Sequence, residues 1–128
     1  MNQSLKQDLK VHTLAGIGTV TFFENFVLLD IEEGQHLGYI EMEKIHSIVS
    51  YHFEKSPYAY VFNRNISYSV NPITYSTLNN INELTCIAMF KSGLKGFDAK
   101  VEAHFIKKPV KVFSTFEHTV NWVNTFFE

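Results

Sequence analysis

The chain has 128 residues, of which 45% are hydrophobic and 15% aromatic, and its formal net charge is −2. This length suits one domain with an ordinary core, so we expect residues 1–128 to form a single domain. The aromatic content excludes a disordered chain, and the small net charge gives no general attraction to nucleic acid. Cys86 is the only cysteine, so no intrachain disulfide can form. It lies in an apolar run, which predicts a buried thiol.

Strand patterns fill the first third of the chain. Residues 9–14, 19–23 and 26–31 alternate or are rich in β-branched and aromatic residues, and short turn signals separate them. This pattern predicts an antiparallel meander. The period then changes, because the next apolar residues describe one face of a helix: Met42, Ile45, Ile48, Val49 and Phe53.

Strands and helices alternate in the rest of the chain. Apolar runs at residues 58–62 and 84–90 indicate strands covered on both faces, and residues 110–113 indicate a short strand. Helices are predicted at 73–81, after the N-cap Asn71 and Pro72, at 97–106, and from a capping box at Ser114 to about residue 127. The order β-β-β-α-β-α-β-α-β-α predicts an α/β fold. Its mixed sheet would have an antiparallel meander followed by parallel βαβ units, with about four helices.

Two local motifs accompany this order of elements. A strand ending in Asn63-Arg64 is followed by a Ser/Tyr-rich loop, and residues 105–113 (FIKKPVKVF) precede a capped helix. With the order of elements, they resemble the SpoIIAA-like branch of the STAS superfamily over about residues 11–127. The resemblance implies a mixed sheet with packed helices and a non-enzymatic interaction module in regulation. Some members are switched by phosphorylation at the start of a helix, and relatives have been linked to apolar or lipid-like ligands.

The switch loop of that family corresponds by position to residues 63–72, with Ser67 or Ser69 at the phosphoacceptor place. The switch proteins carry Asp-Ser-Ser/Thr-Gly there, whereas this chain has Ser-Tyr-Ser-Val-Asn-Pro at residues 67–72. The acidic and glycine positions are missing, which argues against the phosphoswitch. The loop therefore stands as a predicted binding surface.

The candidate binding residues follow the predicted carboxyl ends of strands, where open α/β sheets bind ligands. Arg64, the only arginine, can hold a carboxylate or phosphate with two parallel hydrogen bonds, or it can tether its own loop. The loops after residues 90 and 113 should line the same edge, with helix N-termini that favour anions. The candidates for ligand or partner binding are Asn63, Arg64, Asn65, Ser67, Tyr68, Ser69, Asn71, Ser92 and Ser114.

No catalytic or metal-binding motif is recognisable. The chain lacks Gly-x-Ser-x-Gly, HExxH and a phosphate-binding glycine loop, and its six histidines lack zinc spacing. We therefore expect a non-enzymatic domain without cofactor or metal. Its partner is expected to be another regulatory protein or, alternatively, a small apolar or anionic ligand between sheet and helices.

Three further expectations concern charge, assembly and location. Residues 24–54 carry a net charge of −6 and residues 91–111 a net charge of +4, which fits two solvated helix faces or a dipolar surface that orients a partner. The apolar residues of the C-terminal helix would allow a homodimer to form through that helix. A polar N-terminus and the lack of a membrane-length apolar run predict a cytoplasmic location.

Overall fold

The computed structural model describes residues 9–93 and 104–128. The described helices are α1 (Tyr39–Phe53), α2 (Pro72–Leu78) and α3 (Phe116–Asn124). The strands are β1 (Lys10–Leu14), β2 (Gly18–Phe22), β3 (Phe26–Ile31), β4 (His36–Leu37), β5 (Tyr58–Asn63), β6 (Ser69–Val70), β7 (Leu84–Phe90) and β8 (Val110–Phe113).

Six strands form one sheet in the order β1-β2-β3-β5-β7-β8, and β4 pairs with β6 in a separate two-stranded ribbon. The first three strands are antiparallel, whereas β3, β5, β7 and β8 run parallel to one another. This arrangement confirms the predicted meander followed by parallel units. Because parallel strands end on the same side, the loops after β3, β5, β7 and β8 share one edge of the sheet.

Helices cover both faces of the sheet. The side chains of Tyr58, Tyr60 and Phe62 belong to the core cluster under α1 and α2, whereas Ala59 and Val61 belong to the cluster under α3. All five residues are at most 1% exposed, as expected for a parallel strand covered on both sides. The predicted helical face of α1 is also confirmed, since Met42, Ile45, Val49 and Phe53 are buried and the half-buried Ile48 packs against the same core.

The single cysteine lies in β7 and is fully buried. Burial raises the pKa of the Cys86 thiol to about 12, because the apolar surroundings disfavour the thiolate. The thiol is therefore protonated at neutral pH, and the predicted buried state is confirmed.

Two of the helices end earlier than predicted, and a third predicted helix lies mostly outside the described residues. α2 ends at Leu78 and α3 at Asn124, each about three residues early. Most of the helix predicted at 97–106 lies outside the described residues, and residues 104–105 form a turn. The described part of the chain therefore contains three helices against about four predicted.

The N-cap of α3 is Thr115 and not Ser114, which corrects the predicted capping box by one residue. The Thr115 Oγ1 atom accepts a hydrogen bond from the His118 backbone N–H at 3.1 Å, and Ser114 is exposed. Both residue types cap helices well, so local sequence does not separate them. The boundary follows from β8, which continues to Phe113 and accepts a hydrogen bond from Lys91 N–H at 3.0 Å.

The two cap candidates give a direct test. We expect Thr115→Ala to lower the free energy of unfolding by about 1 kcal/mol, because the first turn of α3 loses its side-chain acceptor. Ser114→Ala should change it by less than about 0.5 kcal/mol. Urea denaturation of both variants measures the difference, and equal losses would contradict the assignment of the cap.

Candidate functional site

Residues 65–71 alternate between solvent and core. Ile66, Tyr68 and Val70 pack against the core cluster beneath α1 and α2. The intervening residues are exposed: Asn65, Ser67, Ser69 and Asn71. The segment predicted as a polar loop therefore contains a short strand, β6, that shows one polar side to solvent.

β6 runs parallel to β4, with His36 opposite Ser69 and Leu37 opposite Val70. Backbone hydrogen bonds join Ser69 N–H to the Gln35 carbonyl at 3.0 Å and Asn71 N–H to the Leu37 carbonyl at 3.1 Å. The Ser69 hydroxyl lies 2.8 Å from the Nδ1 atom of His36. The loop is therefore held in place by pairing with β4. Each of the two strands has only two residues and depends on the other for its backbone pairing.

Arg64 is buried, with 8% of its surface exposed. Its Nη1 donates to the Tyr75 hydroxyl at 3.2 Å, and its Nη2 donates to the Tyr68 carbonyl at 3.2 Å. The guanidinium carbon also lies 4.3 Å from the centre of the Tyr68 ring, in cation–π geometry. Of the two roles considered for this arginine, the geometry supports the tether, because these contacts fasten the loop to α2.

Asparagines connect the strand ends at the shared edge. Asn63 Nδ2 donates to Asp30 Oδ1 at 2.8 Å, which links the ends of β5 and β3. Asn65 N–H donates to Asn63 Oδ1 at 3.0 Å, and Asn65 Oδ1 accepts from Ser92 N–H at 2.8 Å. The ends of β3 and β5 and the loops after β5 and β7 therefore form one hydrogen-bonded unit.

The structure brings together most, but not all, of the predicted site residues. Asn63, Asn65 and Ser92 share the hydrogen-bonded unit, and Arg64 lies against Tyr68. Asn71 caps α2 as predicted, since its Oδ1 accepts from the Ile73 N–H at 3.1 Å. Ser67 and Ser69 lie on the exposed side of the loop, and Ser114 is an exposed residue that follows β8.

Three exposed apolar residues beside this loop were not among the sequence candidates. β4 leads into α1 and β6 leads into α2, so the parallel ribbon places the starts of the two helices side by side. There the exposed fractions are 55% for Tyr39, 66% for Ile40 and 63% for Ile73. We call these three residues the helix-start patch. One signal was available, because Ile40 is apolar yet lies outside the buried stripe of α1.

Two concave regions lie on the α1 side of the sheet. The α1–α2 pocket has a volume of about 230 Å³ and is lined by Tyr39, Met42, Glu43, His46, Thr77, Leu78, Asn80 and Ile81. The β1–α1 groove is open and larger, about 970 Å³, and is lined by Lys10, His12, Phe22, Ser47, Ile48, Ser50, Tyr51, His52, Glu54, Lys55 and Glu83. Within the groove the His52 ring stacks on Phe22 with centroids 3.9 Å apart. Burial, and to a smaller extent Lys10, lowers the pKa of His52.

Two features are absent from the part of the chain that the structure describes. Within residues 9–93 and 104–128, no three His, Cys, Asp or Glu side chains gather as a metal site would require. None of the helices in the described part of the chain has the length and apolar character to span a membrane.

Comparison with known proteins gives the fold. No family model matches the sequence, and no curated protein matches it either. The structure is similar to that of an uncharacterized protein of the DUF3478 family with a SpoIIAA-like fold, from Shewanella loihica PV-4. The TM-score is 0.51 at 10% sequence identity, and the match covers 91% of this chain and 92% of that chain. This chain therefore has a SpoIIAA-like fold, as the resemblance implied.

Proposed function

We propose that this protein is a non-enzymatic interaction domain of the SpoIIAA-like, STAS type. It binds another protein through the helix-start patch and the exposed side chains of residues 65–71. The observation that carries the proposal is the patch itself. Soluble proteins seldom expose several large apolar side chains at one place, and such clusters mark interaction sites.

The surroundings of the patch support the same function. Protein interfaces combine an apolar centre with a polar rim, and the exposed Asn65, Ser67, Ser69 and Asn71 supply polar groups next to the patch. The ribbon of β4 and β6 and the hydrogen bonds of the buried Arg64 fasten this surface to the rest of the domain. A preformed surface loses little conformational freedom on binding, which favours affinity.

The proposal is tested by removing the apolar centre. The double variant Ile40→Ser, Ile73→Ser should lose about 30-fold in affinity for the captured partner, since each truncated apolar contact contributes of the order of 1 kcal/mol. The matched control is Val11→Ser, Tyr51→Ser, because these residues are 58% and 86% exposed elsewhere on the surface. The protein serves as bait in a quantitative pull-down. Equal capture by both double variants, or loss only in the control, would contradict the proposal.

A second candidate function rests on the β1–α1 groove. Its lining combines the apolar side chains of Phe22, Ile48 and Tyr51 with the ammonium groups of Lys10 and Lys55 and the carboxylates of Glu54 and Glu83. The apolar walls fit an alkyl chain between the sheet and α1, and an anionic head would pair with Lys10 or Lys55. Native mass spectrometry with added decanoate should then show a 1:1 complex that Ile48→Asp abolishes. A complex that survives this substitution would exclude the groove as the binding site.

A further inference from the structure

The α1–α2 pocket has a chemistry distinct from both surfaces above. Met42, Leu78 and Ile81 give it apolar walls. Tyr39, Glu43, His46, Thr77 and Asn80 supply its polar groups. A small pocket with apolar walls and a few polar groups is the usual form of a small-molecule site.

The pocket contains one carboxylate and, apart from the His46 imidazole, no basic side chain. Glu43 is the only Asp or Glu among its eight lining residues, and none of the eight is Lys or Arg. The Tyr39 hydroxyl donates to Glu43 Oε2 at 2.7 Å. That hydrogen bond raises the pKa of the Tyr39 phenol, so the donor stays protonated at neutral pH. A carboxylate has about four acceptor sites, so Glu43 retains capacity for a second donor.

We propose that the α1–α2 pocket binds a primary alkylammonium group. The ammonium lies at the Glu43 carboxylate, where it forms a charge-assisted hydrogen bond, and the methylene chain packs against Met42, Leu78 and Ile81. An anion of the same size is disfavoured by repulsion from Glu43. The volume of about 230 Å³ accommodates a short chain but not a long lipid.

This chemistry could come from a free amine or from a lysine side chain of a bound protein. Tyr39 belongs to both the pocket and the helix-start patch, so a lysine of a partner docked on the patch could reach Glu43. Binding of an amine in the α1–α2 pocket is nevertheless independent of the proposed function, because it depends on Glu43 and not on Ile40 or Ile73.

The test compares three probes of equal length: n-butylammonium, n-butanol and n-butyrate. Each is titrated into the ¹⁵N-labelled protein at neutral pH and constant ionic strength, and the amide signals of Glu43, His46 and residues 77–81 are followed. Butylammonium should give saturable shifts there with an affinity about three- to fivefold above that of butanol, the gain of an ion pair at an exposed carboxylate. Butyrate should give none. Equal affinities for the three probes, or shifts confined to other regions, would overturn the proposal.

Two variants of exposed acidic residues distinguish binding in the pocket from a general effect of removing one negative charge. Glu43→Gln should remove the preference for butylammonium over butanol, whereas Glu54→Gln in the β1–α1 groove should preserve it. A preference that survives Glu43→Gln would overturn the assignment. Nα-acetyl-lysine methylamide distinguishes the two sources: tighter binding than butylammonium supports a lysine of a partner, and weaker binding supports a free amine.

Discussion

Gly18→Ala is expected to lower the free energy of unfolding by about 3 kcal/mol or more. Gly18 has φ +154°, and a Cβ there would lie 2.2 Å from the Asp30 carbonyl oxygen and 2.8 Å from Ile31 Cα. Both atoms belong to the backbone of β3, with which Gly18 is paired in the sheet. No side chain can move aside, so an alanine separates β2 from β3 at the start of their pairing.

Gly16→Ala is the matched control in the same turn. Its φ is +79°, and nothing lies within 4 Å of the position of a Cβ. An alanine there meets only the cost of the left-handed conformation, about 1 kcal/mol. Urea denaturation of the two variants separates steric conflict from backbone preference. Losses of equal size would show that the close approach at Gly18 does not control stability.

Arg64→Ala is expected to destabilise the protein by about 3 kcal/mol, because it removes buried packing and the charged donor that bonds Tyr75 and Tyr68. Arg64→Lys should recover less than half of this loss, since an ammonium cannot reproduce the planar fork that reaches both Tyr75 and Tyr68. The exposed Lys44→Ala provides the control and should change stability by less than about 0.5 kcal/mol.

The same variants decide between the two roles considered for Arg64. As a tether, Arg64 protects its loop, so the Arg64→Ala variant should show faster hydrogen exchange at the amides of Ser69 and Asn71. These amides pair with the carbonyls of Gln35 and Leu37. Unchanged stability and exchange, together with lost partner binding, would instead identify Arg64 as a contact residue.

The main sheet was predictable because its signals are local. Alternation and β-branched residues define β1 to β3, and the uniformly apolar runs at β5 and β7 require cover on both faces, which a parallel sheet with helices provides. The Asn71-Pro72 start of α2 was equally clear, since each residue has a specific role at a helix N-terminus.

The features that organise the site depend on contacts between residues that lie far apart in the sequence. The alternation of residues 65–71 is visible in the sequence, but its outward residues are Ser and Asn, which also favour loops. Its strand character requires β4, more than thirty residues earlier. The burial of Arg64, in the loop after β5, likewise depends on Tyr75 in α2. The α1–α2 pocket exists only because of the spacing of two helices, which periodicity does not encode.

The helix-start patch as the partner-binding surface is the central claim, and site-specific photo-crosslinking tests it most directly. The photo-reactive residue p-benzoylphenylalanine is placed in turn at positions 40, 73, 11 and 51, all of which are exposed. After irradiation in cells, we expect positions 40 and 73 to give a covalent adduct with the same partner, and positions 11 and 51 to give none. Adducts from positions 11 or 51 without any from 40 and 73 would contradict the claim.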